Sequence, residues 1–281
     1  MPGGFPLGFD ICNGVSAGVG TGSMGIALGT GTITANTKTG FQTIISSTTY
    51  DAVAAFIAIE ASCSSITTFL ADLAIGAAAS EQVVVSNLEA QVGVTSPNIA
   101  YYFVPLCIPA GTRVSGRFQS ANGGTFGSGI SCNMNLILFD GAYTQMEGYA
   151  GVDSVNASTS TSQGTAVTPS ATANTYGSYT QLIASTARDY VGLMYSGDVH
   201  TTTFGSNLLY TFEIAIGGSG SEQIIIGSSW FYATSGGNAC QDVIGWFIPV
   251  TIPSGTRIAA HCKCNGASKP AMGISVYGVY Q

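Results

Sequence analysis

The sequence predicts an all-β chain: two tandem, duplicated β-sandwich units of jelly-roll type behind a Gly-rich N-terminal arm. Three observations predict it. Peptide blocks repeat in the same order along the 281 residues. Short runs rich in Val, Ile, Thr, Phe and Tyr alternate with turn signals. Charged residues make up only 7%, against roughly 25% in a typical soluble domain, so the polar surface is Ser, Thr, Gly, Asn and Gln.

The repeat sets the organisation. Residues 103–113 read FVPLCIPAGTR and 247–257 read FIPVTIPSGTR; 75–85 read IGAAASEQVVV and 216–226 read IGGSGSEQIII; 44–53 read IISSTTYDAV and 182–191 read LIASTARDYV. The offsets are 138, 141 and 144 from the earliest block to the latest, which means duplication with small insertions. The organisation expected is an arm over 1–31, a first unit over 32–145, a Ser/Thr/Ala-rich linker over 146–167 and a second unit over 168–281. The arm lacks periodicity, so it is expected either disordered or laid against a neighbouring subunit.

In the first unit the pattern predicts strands near 41–47, 52–59, 66–75, 81–88, 99–108, 112–120 and 133–140; in the second, near 179–185, 190–195, 207–216, 222–232, 244–252, 256–264 and 272–280. That is the strand count of a sandwich or jelly roll. Alanine-rich 52–79 could be helical alone, but its β-branched and aromatic counterpart argues for strands. In the I-P-[AS]-G-T-R block, Pro109 and Pro253 set φ for a turn that Gly111 and Gly255 complete. Pro105 and Pro249 lack a ladder donor, which places their strands at a sheet edge or bulge.

Charge and cysteines exclude several functions. Net charge is −7, and the seven basic residues are scattered, which argues against nucleic acid. Seven cysteines without C-x-x-C pairs suit a reducing compartment. The N-terminus lacks the basic start of a signal peptide, and Glu60 and Asp72 interrupt the most apolar stretch, so no membrane helix is expected.

Candidate chemistry is thin. Residues 20–25 match G-x-G-x-x-G by spacing but lack the flanking strand and helix of a dinucleotide site. In His261-Cys262-Lys263-Cys264 the two thiols should share one strand face and His261 the other, with Cys240 the only obvious further zinc ligand. Asp198-Val199-His200 has no nucleophile elbow to serve. Asn156-Ala157-Ser158 is a formal glycosylation acceptor, expected unused. Trp230 and Trp246, with Phe231, Tyr232 and Phe247, could stack on a sugar but are expected in the core or a subunit interface. No catalytic group, metal or cofactor is expected.

The groups that recur in both units are Asp51/Asp189, Glu81/Glu222 and Arg113/Arg257. A group present in both copies is more simply explained by the fold than by one site. Each Arg is expected to be buried at its stem and to pair with an acid or with strand-end carbonyls, Glu81 and Glu222 being first choice.

The succession S-E-Q-[VI]-[VI]-[VI], then F-x-P-x-x-I-P-x-G-T-R, then the alternating C-terminal strand 273–280 resembles β-sandwich virion proteins of tailed bacteriophages. Arg117-Phe118-Gln119 fits the R-x-Q that often follows in that group; His261-Cys262-Lys263 departs from it. The resemblance implies a non-enzymatic structural protein of the virion, a capsid decoration (cement) protein or a tail or fibre component. It defines no functional residues to carry over. The partners expected are copies of the chain itself, a trimer favoured, and the major capsid or other virion proteins. Rival readings are a receptor- or glycan-binding tip and a secreted carbohydrate-active enzyme, the latter needing two acids roughly 5–10 Å apart.

Overall fold

A computed structural model describes residues 9–12, 25–65, 67–92, 98–140, 149–156, 164–199, 208–233, 244–245 and 247–281. Among these residues the protein is all-β, with no helix.

In the first half, β1 (Phe9–Cys12), β2 (Ile26–Ala27), β5 (Ala52–Cys63), β8 (Asn98–Ile108) and β11 (Ile130–Asp140) form one sheet with the short β18 (Ile244–Gly245). Its order is β1-β11-β5-β8-β18, with β2 also on β11. Packed over it are β4 (Gln42–Ile45), β9 (Val114–Ser120), β6 (Thr67–Ile75) and β7 (Gln82–Val92), in that spatial order. A ribbon of β3 (Thr32–Ile33) and β10 (Gly124–Thr125) lies beside them.

The second half repeats the connections. β15 (Tyr190–Val199), β19 (Ile248–Ile252) and β21 (Met272–Tyr280) take the places of β5, β8 and β11. β14 (Thr180–Ile183), β20 (Ile258–Cys264), β16 (Leu208–Ile216) and β17 (Gln223–Ala233) take those of β4, β9, β6 and β7. Between the halves, β12 (Gly151–Ser154) pairs antiparallel with β21 and parallel with β7, joining them into one nine-stranded sheet, and β13 (Thr165–Val167) also pairs with β21.

One expectation is corrected by these pairings. Residues 146–167, expected as a linker, contribute β12 and β13, and Val152 is 2% exposed. The described residues of the arm are held within the chain: β1 and β2 pair with β11, and Leu28 is buried. The physical reason is common to both. β11 and β21 would otherwise be open edges with unpaired N–H and C=O groups, and the preceding segment of chain covers each. Such strands are hidden from sequence because each is only two to four residues long, too short to show a period, although Val152 and Val167 still reach the cores.

Alternation builds the cores. Along β5 the odd positions Ala55, Ile57, Ile59 and Ala61 are fully buried, and they meet Leu73, Leu88 and Phe118 of the covering sheet in one cluster. The second cluster gathers Leu193, Tyr210, Phe212, Ile214, Ile258 and Val276. Met194, Tyr277 and Val279 belong by sequence to the second half but pack in the first cluster, so the two halves share a boundary of apolar side chains. Each proline sits at a register shift, Pro105 opposite Ala54 and Pro249 opposite Gly192, and β19 is an edge strand.

The turn glycines are required for a stronger reason than position. Gly111 and Gly255 have φ of +77° and +80°, a region that costs other L-residues about 1–2 kcal/mol. No neighbour lies within 4 Å of either Cβ position, so backbone strain is the whole effect. Gly111→Ala and Gly255→Ala are each expected to lower stability by about 1 kcal/mol in urea unfolding, and Asn at either site by less.

Candidate functional site

The repeated residues form a strut in each half. Arg113 donates Nη1 to Glu81 Oε1 at 2.9 Å and to the Gly76 carbonyl at 3.2 Å, and Nε to Thr43 Oγ1 at 3.0 Å. Arg257 donates Nη1 to Glu222 Oε1 at 3.1 Å and to the Gly217 carbonyl at 3.0 Å, and Nε to Gln181 Oε1 at 3.2 Å. The two guanidinium groups are mostly covered, with side-chain exposures of 18% and 16%. Glu81 and Glu222 are each held below the usual carboxylate range, first by their own backbone N–H groups and with help from the Arg.

Asp51 and Asp189 do different work. Their Oδ1 atoms accept from the turn N–H groups of Ala110 (2.7 Å) and Ser254 (2.6 Å). Thr48 and Thr186 complete the turns, each hydroxyl donating to the carbonyl of Pro109 or Pro253 at 2.8 Å. The recurring acids and arginines therefore sit at the ends of strands: each Arg ties together strand ends of a single sheet, and each Asp holds the turn that leads from one sheet to the next.

A second pair of equivalent sites lies on the outer faces of the four-strand sheets. In the first half Asp72, 2% exposed, accepts from Lys38 Nζ (2.8 Å), Arg117 Nε (2.8 Å) and the Asn87 N–H (2.8 Å). The Arg117 guanidinium lies 4.5 Å above the Phe41 ring. Burial lowers the Lys38 ammonium below its ordinary value, although Asp72 opposes this.

In the second half Glu213 stands opposite His261 in the ladder, as Asp72 stands opposite Arg117. His261 Nε2 lies 2.9 Å from Glu213 Oε2, and since an ionised carboxylate only accepts, Nε2 carries the proton. The imidazole is stacked between Tyr176 and Tyr179, with centroids 4.2 and 4.0 Å away. Burial pushes the Glu213 carboxyl up, but hydrogen bonds from His261 and Tyr176 outweigh it and hold the group low.

The remaining candidates disperse. Cys262 and Cys264 point into the core while His261 faces outward, and no group of three His, Cys, Asp or Glu that could hold a metal occurs among the described residues. Asn156 staples β21: its amide donates to the Ile274 carbonyl (2.7 Å) and accepts from the Val276 N–H (2.8 Å). Residues 13–24, Ala157, Ser158, His200, Cys240 and Trp246 lie outside the described residues.

The aromatic group splits between the two cores and an open sheet face. Phe231 packs on the second core and Phe247 on the first, edge-on to Tyr149. Trp230 is 74% exposed, with Tyr232 at 42% and Leu209 at 40% on the same open face. Strand alternation puts these residues on the side away from their own core.

Sequence reasoning passed over Asp72, Glu89 and Glu213. An acid inside the apolar run 67–75, matched by Glu213 in the second half, was the available signal for the first and third. Glu89 gave none, because Asn87, Glu89 and Gln91 alternate with Leu88 and Ala90 like an ordinary solvent face. Yet Glu89 is 1% exposed. Its Oε2 accepts from Ser275 Oγ (2.6 Å) and Ser196 Oγ (3.3 Å), both in the second half. Its N–H donates to Tyr277 Oη (3.0 Å), and its carbonyl accepts from Tyr102 Oη (2.6 Å). Burial raises its carboxyl to about 7.

No family model matches the chain, and no curated protein does. Among solved structures it is similar to PNGF-II, at 8% identity and a TM-score of 0.39, covering 86% of this chain and 59% of that one. It is also similar to vicilins from Solanum melongena (8% identity, TM-score 0.16, covering 80% and 72%) and Capsicum annuum (9%, 0.15, covering 82% and 73%). At these scores the likenesses carry no argument about function.

Proposed function

We propose that the chain is a non-enzymatic structural protein of a phage particle, a capsid decoration protein that works by packing against neighbours. One observation carries the assembly part of this reading. The described surface is poor in charge and presents large apolar side chains on open sheet faces, Phe103 at one end and Trp230, Tyr232 and Leu209 at the other. Such faces mark interaction sites in soluble proteins. The recurring acids favour the same reading, since they are fixed in struts and turns. Two surface clefts, one lined by Ser64, Ser65 and Asn122 and the other by Thr168, Ser170 and Tyr176, carry no acid or histidine. The virion context rests on the sequence resemblance alone.

The test is the composition of purified particles. A copy number matching the capsomers supports decoration, and a low number confined to the tail supports the fibre or tip reading. Absence from any particle, with turnover on a polysaccharide panel, overturns both.

A further inference from the structure

The chain contains one docking event between its own halves, and its two outer ends carry the unused counterparts of both surfaces. The ladder registers define the correspondence. Leu70 stands opposite Glu89 and Gln119, and Thr68 opposite Gln91; in the second half Thr211 stands opposite Trp230 and Lys263, and Leu209 opposite Tyr232. These are the same positions on the outer face of the four-strand sheet. In the first half that face is covered: Thr68 is 4% exposed, Leu70 2%, Glu89 1%, Gln91 2% and Gln119 5%. In the second half it is open, with Trp230 at 74%.

The contacts of Glu89 identify the surface that meets this residue. It is the outer face of β15 and β21, where Ser196 stands opposite Ser275 and Met194 opposite Tyr277. Met194, Ser196, Ser275 and Tyr277 are all at most 5% exposed. Counting from the repeated prolines, their counterparts in the first half are Phe56 and Ala58 on β5, facing Ile137 and Asn135 on β11, and these are only half-buried. Beside them Phe56 stacks on Tyr101, and Phe103, 41% exposed, lies against Phe139.

The strand edges follow the same rule. β12 bridges β21 to β7 inside the chain; β1, which takes its place on β11, and β17, which takes the place of β7, are each the last strand of their sheets among the described residues. Each half thus presents an open apolar face and a strand with no further partner among the described residues.

We infer that copies of this chain associate head to tail, the Trp230–Tyr232 face of one docking on the Phe56–Phe103 face of the next, as Glu89 meets Ser196 and Ser275 between the halves of one chain. The proposal deepens the assembly reading and rests on it. The contact is heterologous, so it generates a closed ring if the rotation closes and a filament otherwise.

Heterologous contacts have a mixing signature. Trp230→Glu and Phe103→Glu each damage one face and leave the other intact. Both residues are exposed, and circular dichroism with thermal melting checks that each variant folds. In analytical ultracentrifugation the unaltered chain is expected to self-associate with rising concentration. Each variant alone is expected to sediment as a 28.6 kDa monomer, its self-association weakened at least roughly 30-fold, as for the loss of an interface anchor. An equimolar mixture is expected to recover a dimer and nothing larger, because only one pair of intact faces remains.

Oligomers that survive both substitutions overturn the face assignment and leave the assembly reading standing. Variants that stay monomeric when mixed overturn the head-to-tail geometry. An unaltered chain that is monomeric at all concentrations overturns assembly through these faces, and a tryptophan fluorescence change on adding oligosaccharide would then give the Trp230 face to a glycan.

Discussion

Asp72→Ala is expected to destabilise the protein by about 3–5 kcal/mol, the range for removing one partner from a buried ion pair. The carboxylate is 2% exposed and receives two cations and a backbone N–H at 2.8 Å, so its loss strands Lys38 and Arg117 against a covered sheet. Part of the cost is recoverable by Lys38, whose lowered affinity for its proton lets it neutralise more easily than an exposed ammonium. Glu213→Ala, at the equivalent place, is expected to cost only about 1–2 kcal/mol. Its partner His261 is also held by its stack between Tyr176 and Tyr179, so its place does not depend on Glu213 alone. Urea unfolding of both variants, monitored at the backbone, measures the difference; equal losses would mean that the charge network in the first half is not what distinguishes the two sites.

The second large effect concerns pH. The carboxyl of Glu89 is raised to about 7 by burial, from 4.5 in the unfolded chain. Ser275 and Ser196 donate to Oε2, while Oε1 has no protein partner, and Tyr102 and Tyr277 are the titratable neighbours. Among the described residues no ion pair reaches it. Between the two values the folded protein holds a proton that the unfolded chain has released, so stability falls as pH rises. The contribution is fully present below 4.5 and is lost by about 7, after which the curve is flat. The total is about 3 kcal/mol at 1.36 kcal/mol per unit. Glu89→Gln is expected to remove this slope, leaving stability near pH 4.5 unchanged and raising it above pH 7 by up to that amount. Chemical denaturation across the range decides it: a slope that persists in Glu89→Gln places the titration elsewhere.

The same residue links stability to the joint between the halves. Glu89 belongs to the first half and its hydroxyl donors to the second, so ionisation works against the contact that packs one onto the other. Loosening at the joint should precede global unfolding at alkaline pH, visible as early hydrogen exchange in β7 and β21 relative to β5.

Much of this fold was legible in the sequence, because its information is local. Alternation of Val, Ile and aromatic residues specifies strands, proline and left-handed glycine specify the I-P-[AS]-G-T-R turn, and recurrence of Glu81/Glu222 with Arg113/Arg257 points to the fold rather than to a reaction. Strands β1, β2, β12 and β13 were not legible, since they are recruited by open edges and contribute backbone hydrogen bonds that any residue but proline can make. Nor was the fate of equivalent faces. Glu89 and Gln91 occupy the same ladder positions as Trp230 and Tyr232, yet the polar pair is buried and the aromatic pair is open. Periodicity marks only the side of a strand turned from its own core. Whether water or another sheet lies on that side depends on contacts between residues far apart in the chain, and only the tertiary structure decides it.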